Sequence, residues 1–141
     1  MKIISHRGNL EGTNPIWENH PNYIEKALNL FDVEIDVWNI NNCWFLGHDK
    51  PQYQIKIDFL FNNKLWCHAK NIEALSKMLE YNIHCFYHDK DDYTITSKGY
   101  IWAYPNKPLI NSGISVVFGK NIPENFNGMG ICTDYASLIL D

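Results

Sequence analysis

The sequence predicts an α/β fold whose chemistry collects at the C-terminal edge of its strands, and three short stretches carry that reading. In Ile3-Ile4-Ser5-His6-Arg7-Gly8 a β-branched run stops at an imidazole, a guanidinium and a glycine able to turn the backbone. In Val33-Glu34-Ile35-Asp36-Val37 acidic and apolar residues alternate, so that a strand puts both carboxylates on one face. In Phe45-Leu46-Gly47-His48-Asp49 an apolar run again ends in His-Asp. Polar residues delivered to strand ends, not spent on strand faces, suit a barrel or an open α/β sheet whose site lies at that edge.

Each element follows from its own residues. The first strand ends at His6, and 9–19, rich in Gly, Asn and Pro, is a loop long enough to fold over a site. Pro21 suits a first helical turn, and Tyr23, Ala27, Leu28 and Phe31 give near-helical spacing, so a helix is expected over about 21–30. The second strand is Asp32 to Trp38, 39–42 turns, and Cys43 to Gly47 returns. A short helix is expected over 55–61 and a strand over 64–70. Asn71 caps a helix over 72–80, with Ile72, Leu75, Met78 and Leu79 toward the core. Further strands follow at 83–87, 93–95, 100–104, 114–118 and 129–132, then a short helix at about 135–140. No helical period appears between Asp91 and Gly130. His88-Asp89 repeats the strand-end pattern beside the Lys90-Asp91-Asp92 run of a solvated turn, and His20 and His84 receive no role.

At 141 residues, 45% of them hydrophobic, the chain supports one domain, 1–141, with its own core. A net charge of −4 argues against an extended nucleic-acid face and leaves room for a local cationic pocket of Arg7 and Lys70; the expected partner is a small molecule. No apolar run approaches the ~20 residues of a membrane span, and the start shows no secretion signal. Cys43, Cys67, Cys85 and Cys132 sit among apolar neighbours without a CxxC pair, reading as buried reduced thiols of a cytoplasmic protein.

The ordered triplet His6-Arg7-Gly8, Glu34-x-Asp36, His48-Asp49 resembles the glycerophosphodiester phosphodiesterase family and the wider group of phosphatidylinositol-phospholipase-C-like phosphodiesterases. Glu18-Asn19 matches the family's Glu-Asn step before its first helix, and Gly130-Ile131-Cys132-Thr133-Asp134-Tyr135 its last-strand segment. The likeness covers 1–49 and 65–74 and thins from 82 to 128. It implies a TIM-type (β/α) barrel, here reduced, since eight crossover helices need about 250 residues. Helices are expected mainly in the first half, with loops joining the later strands; the alternative is a smaller open α/β sheet.

The resemblance also implies phosphoric diester hydrolysis of a small glycerophosphodiester-like substrate. Glu34 and Asp36 then hold a divalent metal, Arg7 forks onto phosphate oxygens, and His6 and His48 share acid and base roles. Lys70 reaches the phosphate, Trp102 contacts substrate and Glu18 holds Arg7 from behind. One departure stands out: where the family has Glu-x-Lys, this chain has His68-Ala69-Lys70. With His68 as the third ligand, the Mg²⁺ or Ca²⁺ implied by the family gives way toward Mn²⁺ or Zn²⁺. The competing reading is a phosphate- or phosphodiester-binding module with little or no turnover.

Overall fold

The computed structural model describes residues 1–110 and 113–139. Ten strands lie among them: β1 (Lys2–His6), β2 (Asp32–Ile40), β3 (Cys43–Leu46), β4 (Tyr53–Ile55), β5 (Leu65–Ala69), β6 (Cys85–Phe86), β7 (Tyr93–Ile95), β8 (Ile101–Ala103), β9 (Gly113–Val117) and β10 (Gly130–Thr133). Two α-helices join them, α1 (Pro21–Leu28) and α2 (Ile72–Glu80).

The strands form one curled, mixed sheet. Its parallel part runs β6-β5-β2-β1-β10-β9-β8; β3 pairs antiparallel with β2 and β4 antiparallel with β3, and β7 pairs antiparallel with β8. Near the open side the Ser97 amide donates to the Cys85 carbonyl at 2.8 Å. The result is a half barrel of strands, which overturns the reduced TIM-type (β/α) barrel expected from the resemblance. Only the β1–β2 and β5–β6 crossovers carry an α-helix. The described residues of the β8–β9 and β9–β10 crossovers, 104–110 and 118–129, carry none, and three of the pairings are antiparallel and need no crossover at all.

Local chemistry accounts for both helices. Pro21 opens α1, where its missing N–H costs nothing, and the His20 side chain caps it by accepting from the Asn22 amide at 3.1 Å. Asn71 caps α2 by accepting from the Ala74 amide at 3.1 Å. Their buried residues, Ile24 and Ala27 of α1 and Ala74 and Met78 of α2, meet Val33, Ile35 and Val37 of β2 and Leu65, Cys67 and Ala69 of β5 in an outer core. The concave face holds a second core of Ile4, Trp66, Phe86, Trp102, Ile114 and Cys132.

Two helices expected elsewhere are short 3-10 turns, at Ile57–Phe61 and Ala136–Leu138, the former entered through the additional strand β4; residue 140 lies outside the described residues. All four cysteines are free, but Cys43 is exposed, because it opens the β3 edge and is not covered by a helix. No described helix is long and apolar enough to cross a membrane.

Candidate functional site

Register builds the site. In the parallel ladder His6 lies opposite Glu34, and Asp36 opposite His68, so alternation on β2 turns Glu34 and Asp36 onto the concave face while Val33, Ile35 and Val37 enter the outer core. His6 ends β1 and His68 is the last residue but one of β5, whereas Glu34 lies in the first half of β2 and Asp36 at its centre.

The turn beyond β1 fixes the next residues. The Arg7 amide donates to the Glu34 carbonyl at 2.8 Å, and the Asn19 amide to the Arg7 carbonyl at 3.1 Å. Arg7 at φ 58° and Asn19 at φ 67° both occupy the left-handed region, uncommon for any residue but glycine and rarer for arginine than for asparagine. Gly8, at φ 92°, could not carry a side chain: a Cβ there would stand 2.6 Å from the Tyr23 ring. Such over-determined backbone is what a site that must hold its side chains still requires.

Glu34, Asp36 and His68 each present a ligand atom, and these atoms lie within 4.8 Å of one another. His68 Nδ1 is 3.3 Å from Asp36 Oδ1 and 3.7 Å from Glu34 Oε2. His68 Nε2 lies 2.8 Å from the carbonyl oxygen of His88; a carbonyl only accepts, so Nε2 carries the hydrogen and Nδ1 is the atom turned to the carboxylates. Asp36 Oδ2 accepts from Asn19 Nδ2 at 2.9 Å, and the Asp36 amide donates back to Asn19 Oδ1 at 3.0 Å. Glu34 Oε1 and Asp36 Oδ1 are buried with no hydrogen-bond partner. Buried carboxylate oxygens left so are costly, and a divalent cation among Glu34, Asp36 and His68 would satisfy both. The donor set therefore fits a metal, and its imidazole moves the preference from Ca²⁺ or Mg²⁺ toward Mn²⁺ or Zn²⁺.

Around this cluster the charges interlock. Arg7 Nη1 donates to Glu18 Oε1 at 3.0 Å and its Nε stands 3.2 Å from Asp36 Oδ2. Glu18 Oε2 accepts from the Asn14 amide at 2.8 Å, so Glu18 braces both the arginine and the loop. His6 Nε2 is 3.7 Å from Glu34 Oε1, and His6 Nδ1 donates to Asp134 Oδ1 at 2.8 Å. Asn9, fully buried, donates to the same Asp134 oxygen at 2.8 Å and accepts from the Tyr23 hydroxyl at 2.9 Å.

Burial alone would push the His68 imidazole down, but the adjoining carboxylates of Asp36 and Glu34 outweigh burial and raise it to about 9 in the metal-free protein. The same contest raises His6: burial opposes, and Asp134 and Glu34 prevail. Burial would raise Asp36 and Asp134, yet His68 and Arg7 hold Asp36 below the usual carboxylate range, as His6 and Asn9 do for Asp134.

The remaining expected residues fall apart from the cluster. His48 is exposed on the rim, its Nδ1 2.8 Å from Asp49, and borders a cavity of about 440 Å³ shared with Arg7, Glu18, Asn19 and Lys50. Among the described residues no hydrogen bond or ion pair joins its side chain to Glu34, Asp36 or His6. Lys70 is half-buried, its amide on the Val37 carbonyl at 2.8 Å, and its ammonium makes no hydrogen bond or ion pair among the described residues. Trp102, expected to contact substrate, is 3% exposed, with its ring centroid 4.6 Å from Phe86 and 5.8 Å from Trp66. It belongs to the concave core because three strands each bring an aromatic ring to that level.

Asn9 is not singled out by the sequence, and Asn19 and Asp134, though they lie in the stretches that carry the resemblance, receive no role in the site from it. For Asp134 a signal existed: period two from Cys132 puts an acid at the end of an apolar strand, as at Glu34 and Asp36. Set against protein-family models, curated proteins and solved structures, the chain matches none.

Proposed function

We propose that this chain is a metal-assisted phosphoric diester hydrolase acting on a small glycerophosphodiester-like substrate. The observation that carries the reading is the convergence of Glu34, Asp36 and His68 beside the Arg7 guanidinium, with one oxygen of each carboxylate, Glu34 Oε1 and Asp36 Oδ1, buried without a hydrogen-bond partner. Motif order and the Glu18–Arg7 contact support the phosphodiester class.

Hydrolysis of a phosphodiester requires neutralised charge, an activated nucleophile and a protonated leaving oxygen. Glu34, Asp36 and His68 would hold a divalent metal, which when bound would supply charge stabilisation for the phosphoryl oxygens. Arg7, fixed by Glu18 and Asp36, turns its remaining donors to a phosphate oxygen. His6 works through Nε2, since Asp134 fixes the proton on Nδ1, and so accepts the proton of water or a substrate hydroxyl. His48 and Lys70 complete the proposal from the rim, the first protonating the departing oxygen and the second holding phosphate, when substrate bridges the cavity bordered by Arg7 and His48. Three buried free thiols support a reducing compartment, and we place the protein in the cytoplasm.

The separation of His48 from the cluster favours a second reading, a phosphodiester-binding module with weak turnover. Assay of bis(p-nitrophenyl) phosphate across Mn²⁺, Zn²⁺, Mg²⁺ and Ca²⁺ decides between them: metal-dependent release of p-nitrophenol, lost in Glu34→Gln, is expected, and its absence with every metal overturns the enzymatic reading.

A further inference from the structure

A row of aromatic rings leaves the candidate metal cluster and runs along the mouth. Phe86, Trp102 and Ile114 belong to the concave core, and continuing their period of two leads to His88, Tyr104 and Phe118, one or two residues beyond the C-terminal ends of β6, β8 and β9. The row is physically continuous. The His88 carbonyl accepts from His68 Nε2 and the two imidazoles are 6.4 Å apart; His88 to Tyr104 is 6.4 Å and Tyr104 to Phe118 6.2 Å between centroids, the last two edge-to-face. Tyr104 and Phe118 are nevertheless 46% and 61% exposed. Isolated exposed rings are ordinary, whereas a chain of them anchored on a candidate ligand residue calls for an occupant.

The occupant's chemistry follows from what the wall offers. The phosphate is held at one end by Arg7 and the metal cluster, so whatever meets the wall is an arm of that phosphodiester. Neither Tyr104 nor Phe118 bears a carboxylate or ammonium, which leaves a second phosphate without a counter-charge on those rings, and a polyol would find only the Tyr104 hydroxyl and one His88 nitrogen for its several hydroxyls, the rest of the wall being ring carbon. A planar ring, by contrast, packs edge-to-face or offset on such rings, with a gain beyond its buried area. We propose that His88, Tyr104 and Phe118 form a specificity subsite for an aromatic arm of the substrate, a reading that rests on the phosphodiester function proposed above.

Saturated and aromatic rings of similar size separate this subsite from general apolar contact. In Mn²⁺-supplemented protein, calorimetric titration with benzylphosphonate and cyclohexylmethylphosphonate is expected to show about tenfold tighter binding of the aromatic ligand. Tyr104→Leu and Phe118→Leu keep apolar volume and lose the ring, so each should cut that preference severalfold while leaving the cyclohexylmethyl affinity unchanged. In parallel, kcat/KM for methyl benzyl phosphate should exceed that for methyl cyclohexylmethyl phosphate, through KM. Equal affinity for both phosphonates, or an aromatic preference surviving in both variants, overturns the subsite while leaving the phosphodiesterase reading intact. No binding of either phosphonate overturns the subsite, and if bis(p-nitrophenyl) phosphate is also left intact, the phosphodiesterase reading falls with it.

Discussion

His6 Nδ1 donates to Asp134 Oδ1 across 2.8 Å, joining the end of the first strand to the residue just beyond the last. The bond sets the tautomer: with Nδ1 occupied, Nε2 faces Glu34. It exists because β1 and β10 pair in parallel, with Ser5 in register with Thr133.

Asp134→Asn should keep the fold and remove the charge that holds His6 in place. Turnover of bis(p-nitrophenyl) phosphate is expected to fall about 10²–10⁴-fold, the usual worth of a positioned acid–base group, while metal affinity stays near wild type. Paired assays and calorimetric titration check this; lost metal binding would instead give Asp134 a role in the cluster.

Metal binding should raise thermal stability and release a proton. His68, held at about 9 by Asp36 and Glu34 in the metal-free protein, is an imidazolium at neutral pH and must surrender its Nδ1 proton to become a ligand. Mn²⁺ affinity should therefore weaken as pH falls, and titrations in buffers of different ionisation enthalpy should report close to one proton released. Mn²⁺ at a hundred times its Kd should stabilise by about 2.7 kcal/mol, reversed by chelation. His68→Ala should abolish the effect, and His68→Glu should shift preference toward Mg²⁺ and Ca²⁺.

Asn19→Ala removes both hydrogen bonds that fix Asp36 and puts alanine where φ is 67°. Mn²⁺ affinity is expected to drop about 10–100-fold, as for loss of a group that orients a ligand, with destabilisation of roughly 1–3 kcal/mol. Calorimetry and urea unfolding separate the two effects.

His84 lies away from the cluster, 2.8 Å from the Thr96 hydroxyl, and burial together with the nearby Lys98 charge holds it down to about 4. The unfolded chain protonates His84 as pH falls through about 6.5, and the folded chain does so only near 4, so stability should decline across that window. The full shift is worth roughly 3 kcal/mol, reduced to about 1–2 kcal/mol by screening of the exposed Lys98 charge. The raised His6 and His68 act oppositely and elsewhere: their stabilisation is present below about 6.5 and lost as pH rises through their folded values. Urea unfolding of wild type and His84→Gln between pH 4 and 7 should show a steeper acid-side decline in wild type, over and above the loss that the lowered Asp36 and Asp134 give both proteins toward pH 4.

What the sequence determined by itself was local. Alternation along 33–37 sufficed to send Val33, Ile35 and Val37 into one core and Glu34 and Asp36 to the opposite face, and the Pro21 and Asn71 starts of both α-helices follow from backbone chemistry within one turn. The long-range choices belong to tertiary structure. Whether crossovers carry helices depends on how tightly the sheet curls, and here it curls as a half barrel with two, not as a ring of them. Asp134 meets His6 and the His88 carbonyl meets His68 only through pairings between strands distant in sequence. Trp102 and His48 differ for the same reason: a tryptophan on a strand is core or contact according to the rings facing it, and a histidine after a hairpin strand reaches a site or stands on its rim according to how that hairpin is angled. Periodicity fixes which face a side chain takes; only the closing of the sheet decides what it meets there.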